Sequence, residues 1–131
     1  MRVFMTRVFE RFARKEGLAE ERLCEAIARA ERGVVDADLG GSLIKQRVAR
    51  PGRGRSGGYR TVVAFRTAHR SVFLYGFAKN ERDNIDDIEL ADFKKLAKHF
   101  LGYTEEQIAK AMKEAELKEV PYADQDEEHD G

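Results

Sequence analysis

Between residues 43 and 78 the apolar pattern changes period, and the spacing of that change leaves few folds open. Three runs of strand length, residues 43–50, 59–66 and 71–78, are rich in Val, Phe, Tyr and Thr. Only Pro-Gly-Arg-Gly-Arg-Ser-Gly-Gly (51–58) separates the first two, and Thr-Ala-His-Arg (67–70) the second pair. A parallel crossover needs about a dozen residues or more, so the runs form an antiparallel meander, with 51–58 a flexible loop and 67–70 a tight turn.

Helical spacing flanks the meander on both sides. Residues 2–5 are short, apolar and suited to an edge strand. Thr6 can cap a helix over 6–15 with Phe9, Phe12 and Ala13 on one side, and Gly17 breaks it. Leu23, Ala26, Ile27 and Ala30 mark a second helix over 19–32, stopped by Gly33, and 34–42 reads as a connecting loop. After Asn84 the stripe Leu90, Phe93, Leu96, Ala97, Phe100, Leu101 predicts a third helix ending at Gly102. Thr104-Glu-Glu-Gln107 is a capping box for a last helix to about Leu117, and from Glu119 the chain reads as a frayed acidic tail. The fold class is α+β: a small twisted antiparallel sheet packed against N-terminal helices, with one or two C-terminal helices.

A chain of 131 residues with 42% hydrophobic content is one domain, and wholesale disorder is excluded. No apolar run nears the roughly 20 residues of a membrane helix, and residues 1–5 are too short for a signal h-region. Cys24 is the sole cysteine, which excludes an internal disulfide, and His69, His99 and His129 lack metal-ligand spacing. A soluble cytoplasmic protein without metal or cofactor is expected; its oligomeric state is left open.

The zero net charge conceals a strong segregation. Residues 45–82 carry ten basic side chains against Glu81 alone, a balance of +9, while 83–131 carry a balance of −9. Such a pattern points to a surface for a polyanion. With strict alternation along each strand, Tyr59, Val63 and Phe65 face the core with Ile44, Val48, Val72 and Leu74, while Phe73 points away. The other face then bears Lys45, Arg47, Arg60, Arg66, Tyr75, Phe77 and Lys79. Cations interleaved with rings suit RNA, whose phosphates and unpaired bases they can grip and stack; plain solvation of an outer sheet face is the rival reading. Arg53 and Arg55 add charge on a glycine-rich loop that lacks the P-loop order. A helix-turn-helix around Gly102-Tyr103 is disfavoured, because its second helix carries Glu105, Glu106, Glu114 and Glu116.

Gly40-Gly41-x-x-Ile44-Lys45-x-Arg47-Val48-Ala49, the basic glycine-rich loop, Gly57-Gly58-x-Arg60 and Lys79-Asn80-Glu81 together resemble the RelE/ParE toxin superfamily, in particular its HigB-like branch. The resemblance is closest over residues 39–88. It implies a toxin domain over 1–101 and leaves 102–131 as a C-terminal helix and acidic tail extension. It also implies ribosome-dependent endoribonuclease action on translated mRNA, by metal-free attack of a 2′-hydroxyl. The partners it implies are the ribosome, mRNA and a cognate antitoxin of helix-turn-helix type encoded beside the toxin.

By the same resemblance, Lys45, Arg47, Arg60, Lys79 and Tyr75 are the catalytic set. Arg47 and Arg60 would stabilise the phosphorane, Lys79 or Lys45 would act as base, and Tyr75 as acid or stacking platform. Arg50, Arg53, Arg55, Arg66, Arg70, Phe77 and Arg82 would bind RNA or ribosome. Where the family often has Tyr-Gly before Lys-Asn-Glu, this chain has Phe77-Ala78. A gyrase inhibitor, or a toxin-fold protein that binds RNA without cleaving it, is the alternative. The acidic extension is either a solvated helix and tail or a segment lying over the basic face.

Overall fold

In the computed structural model, which describes residues 1–50, 54–82 and 84–123 (of 54–57 the backbone only), the chain begins β1 (Arg2–Thr6), α1 (Arg7–Glu16), α2 (Glu20–Glu31), β2 (Ala37–Gly40). It continues β3 (Leu43–Arg50), β4 (Gly54–Arg66), β5 (Arg70–Ala78), α3 (Asp87–Leu101), α4 (Glu105–Lys113), β6 (Leu117–Val120). The strands form one sheet in the order β2-β3-β4-β5-β1-β6. Among the described residues its pairings are antiparallel except β1 with β5. The α+β class stands, with helix pairs from both ends of the chain flanking the sheet.

Local chemistry sets the helix limits. Thr6 Oγ1 accepts the Phe9 N–H at 3.2 Å, and Gly17, at φ 65°, closes α1 in the left-handed region. Asp86 with Glu89, and Thr104 with Gln107, form complete capping boxes for α3 and α4.

Two cores lie on opposite faces. On one, α1 and α2 bury Phe9, Ala13, Leu23 and Ile27 against Val3, Met5, Ile44, Val48, Tyr59, Val63 and Phe73. On the other, α3 and α4 bury Ala97, Phe100, Leu101, Ile108 and Ala111 against Phe4, Leu43, Val62, Ala64, Val72 and Leu74. Strand β5 serves both by alternation, and its register slips once: Val62 pairs with Tyr75 and Val63 with Phe73, leaving Leu74 as a bulge.

That bulge overturns the strict alternation expected for β5. Phe73 is fully buried and stacks on Phe9 at 4.9 Å, whereas Val72 and Leu74 belong to the opposite core from Tyr59 and Val63. Residues 2–5 do not form an edge strand either: β1 lies between β5 and β6. Strand β2 occupies part of the expected loop 34–42, and β4 begins at Gly54, inside the segment expected to be a flexible loop. Residues 51–53 of that loop lie outside the described residues.

Helix α4 stops at Lys113 rather than near Leu117. Arg7 donates to the Glu114 carbonyl at 3.1 Å and the Ala115 carbonyl at 3.2 Å, and the chain then turns into β6 beside β1. Residues 102–123 thus form α4, mostly exposed but packed through Ile108 and Ala111, and β6, the sheet edge farthest from β2. Residues 124–131 of the expected tail lie outside the described residues.

Gly76 sits directly under α1: a Cβ there would meet Phe12 Cε2 at 2.5 Å and Phe9 Cε2 at 3.0 Å. Gly76→Ala is therefore expected to lower the free energy of unfolding by about 1–3 kcal/mol, read by urea denaturation. At the far edge, Arg2 donates from Nε and Nη2 to the Glu119 carboxylate at 2.9 and 3.0 Å. This bond chiefly holds the Glu119 carboxyl below the usual carboxylate range. Such a group stabilises the fold above its unfolded value of about 4.3 and loses that contribution as pH falls through its lower folded value. Thermal melts of the wild type should thus show a loss below about pH 4.5 that Glu119→Gln reduces.

Candidate functional site

The antiparallel register lays out the second face of the sheet as rows across β3, β4 and β5. Arg47, Arg60 and Phe77 form one row, Lys45, Val62 and Tyr75 the next, and Leu43, Ala64 and Val72 a third. Packing of α3 covers the third row and reaches the second at Val62. Arg47 in the first row remains exposed.

Arg60 is the least ordinary residue of this face. It is 6% exposed, and its Nη1 is buried with no hydrogen-bond partner among the described residues. Burial lowers the Arg60 pKa and the Arg47 charge adds to that, while Asp36 opposes both. Like charges directly opposite across a ladder repel, and a buried guanidinium nitrogen left unpaired costs about 1–3 kcal/mol or more. An anion placed between Arg47 and Arg60 would relieve both costs.

A second cluster closes one side. Arg82 donates to Glu89 at 3.0 and 2.5 Å and to the Tyr75 hydroxyl at 3.1 Å. Its guanidinium lies 5.8 Å from the Tyr75 ring centre and 5.5 Å from that of Phe77. The bond to Glu89, more than any other contact, raises the Arg82 pKa, and the Arg82 bond likewise depresses that of Glu89. Glu89 Oε1 also accepts the Asp86 N–H at 3.0 Å, so the capping box of α3 aims the carboxylate that holds Arg82. Tyr75 stacks on Phe93 at 5.4 Å, and Lys45 Nζ donates to Asn84 Oδ1 at 3.3 Å.

The structure thus brings Lys45, Arg47, Arg60, Tyr75, Phe77 and Arg82 onto one face, with Lys79 exposed in the turn that follows β5. Phe77, at 3% exposed, lies beneath Arg82 rather than open for stacking. Arg50 is placed elsewhere, over the Tyr59 ring at 5.6 Å. Arg66 is exposed and reaches the Leu101 carbonyl at 3.5 Å. Arg70 is 2% exposed and donates to the Phe100 and Tyr103 carbonyls at 2.9 Å each, closing the carboxyl end of α3. Arg53 lies outside the described residues, and Arg55 is described only as backbone of β4.

Sequence reasoning missed Asn84, Glu89 and Asp36. For Glu89 a signal existed, since Asp86-x-x-Glu89 is a capping-box pattern; Asn84 and Asp36 reach the face only through tertiary contacts. Among the described residues no group of three or more His, Cys, Asp or Glu side chains is placed to hold a metal ion, and no helix is long and apolar enough to cross a membrane.

A mixed sheet flanked by helices, with Arg47 exposed beside buried Arg60 on one face, defines a small α+β protein. Residues 1–120 match the family described as the RelE toxin of the RelE / RelB toxin-antitoxin system, and the chain belongs to that family, within the RelE/ParE superfamily. Membership implies a cognate antitoxin as partner. No curated protein matches the chain.

If Arg60 is an anion seat, it is held at a cost to stability. Arg60→Met should raise the unfolding free energy by about 1 kcal/mol while weakening binding of a short oligoribonucleotide, measured by anisotropy. A lower stability with unchanged binding would count against the seat.

Proposed function

We propose that this toxin is a ribosome-dependent endoribonuclease of the HigB-like branch, acting in the cytoplasm on translated mRNA without a metal. The observation that carries the reading is the buried Arg60 guanidinium, its Nη1 unpartnered among the described residues, directly across from exposed Arg47. A scissile phosphate is the anion whose charge this pair would meet.

The reaction is attack of the 2′-oxygen on phosphorus with departure of the 5′-oxygen. It needs a base at the 2′-hydroxyl, charge stabilisation at the phosphorane and an acid at the leaving oxygen. Arg47 and Arg60 meet the second need, because their guanidinium groups offer paired donors that strengthen as charge gathers on the phosphoryl oxygens. Lys79, exposed at the end of β5, or Lys45, beside the pair, serves as base. Tyr75 is the acid, since its hydroxyl oxygen accepts from Arg82 and its own proton is free to be donated. Arg82 acts by orienting Tyr75, and Phe77 by supporting Arg82, rather than by contact with RNA. Arg70 stands outside the site because its donors are held by α3 and Glu105.

Few groups here are strong bases, so substrate alignment must supply much of the rate, which fits an enzyme that completes its geometry on the ribosome. The test is induction in a bacterium, followed by primer extension on a translated and an untranslatable copy of one reporter. Cuts should appear only in the translated copy, and Arg47→Ala or Lys79→Ala should reduce them about 100-fold while the fold is retained. Growth arrest with intact messenger would sink the nuclease reading and point to gyrase or another target. Retarded RNA without cuts would reduce the protein to a binder.

A further inference from the structure

Arg47 stands where β3 has run out of a neighbour. Strand β2 pairs with β3 only as far as Ala37 opposite Lys45, so among the described residues the outward N–H and C=O of Arg47 face no strand. Such groups require other partners or water. Here side chains take both: Asp36 Oδ2 accepts the Arg47 N–H at 2.5 Å, and Arg29 donates from Nη2 to the Arg47 carbonyl. The Asp36 side chain does what one more residue of β2 would have done.

Asp36 is itself fixed from the core. Its N–H donates to Gln46 Oε1 at 2.9 Å. Gln46 Nε2 donates in turn to the Ala26 carbonyl at 2.9 Å and the Val34 carbonyl at 3.2 Å. Gln46 is fully buried, and its amide is bonded at both ends. An unbroken series of bonds therefore runs from α2 through Gln46 and Asp36 to the backbone of Arg47. Gln46 and Arg47 are successive residues of β3, so one faces the helices and the other the open face. The Asp36 carboxylate also brings negative charge to a place where Arg47 and Arg60 repel each other.

We propose that Asp36 is a positioning residue for the Arg47–Arg60 anion seat: its carboxylate acts as a surrogate strand that fixes the Arg47 backbone, and Gln46 sets it from the core. This rests on the reading of that seat as the place of the scissile phosphate. A misplacement on the order of 1 Å in such a site can cost about 100-fold in rate. An acceptor at position 36 is what the role demands, and a carboxylate is not essential to it.

The test uses the full chain as wild type, Asp36→Ala and Asp36→Asn, in single-turnover cleavage of ribosome-bound mRNA, with the folded fraction of each measured by thermal melting. Asp36→Ala should lose about 10- to 100-fold in the rate at saturating ribosome. The half-saturating concentration should move far less, because the rest of the surface still docks. Asp36→Asn keeps an oxygen that can accept the Arg47 N–H and should stay within about 3-fold of wild type. Equal losses in both variants, or no loss in either after correction for folding, would overturn the proposal.

Should the wild type fail to cleave, the nuclease reading falls on its own. The positioning role is then judged by binding of an oligoribonucleotide carrying one 2′-deoxy residue. Weaker binding by Asp36→Ala that Asp36→Asn restores upholds it, and equal binding by all three overturns it.

Discussion

Because Leu74 stands outside the β4–β5 register, β5 turns two successive side chains, Leu74 and Tyr75, to the same face of the sheet. Residues before the bulge and after it can then serve different cores without a break in the strand. Phe73 goes to Phe9 on α1, and Gly76 leaves room for Phe9 and Phe12 to lie on the sheet. Leu74 goes to α3, and Tyr75 and Phe77 come to lie beside Val62 and Arg60. Without the extra residue, either the α1 core or the aromatic side of the cationic row would be turned away from its neighbours, since a slip of one residue reverses every side chain beyond it. The placing of Tyr75 and Phe77 beside Val62 and Arg60 follows from this one irregularity.

Seven cations of the described residues fall into two groups, and geometry rather than charge count does the sorting. Arg2 joins β1 to Glu105 and Glu119, Arg7 closes α4, Arg70 closes α3, and Arg82 is gripped by Glu89. Each of these meets carbonyls or carboxylates in structure-forming contacts. Exposed ion pairs of the Arg2 kind contribute little individually. Arg70 differs, because it is buried among the terminal carbonyls of a helix, where a cation is favoured. Arg47, Arg60 and Lys79 are the other population. Among them Arg60 is buried with no partner for Nη1 among the described residues, the reverse of what selection for stability alone would produce.

The acids follow the same division. Asp86 caps α3 and bonds Glu89, and Glu89 in turn holds Arg82 over Tyr75 and Phe77. Helix capping and the architecture of the site are therefore one structure, and the helix that covers part of the sheet also prepares the part it leaves open. Asp36 plays a comparable part on the other side, where β2 ends.

What the sequence determined by itself was everything decided within a few residues. Thr6, Gly17, Gly33, Gly102 and the Thr104–Gln107 box delimit helices through bonds to their own neighbours, and β3 could be read from period two alone. The common face of Lys45, Arg47 and Arg60 followed from parity along the regular stretches of β3 and β4 that carry them, between the register shifts at Val48/Arg50 and Val62/Val63. Tertiary structure decided the rest, because the partners lie far along the chain. Strand β1 becomes an interior strand only by pairing with β5 and β6, some 68 and 117 residues away at Arg2–Arg70 and Val3–Val120. Strands β2 and β6 are four residues each, too short to show alternation. The β5 bulge answers to two helix layers packing from opposite sides, and no local preference of Leu74 encodes it. Which arginines became structural was settled by which carbonyls and carboxylates folding brought to them, a matter of distance in space that spacing in sequence does not carry.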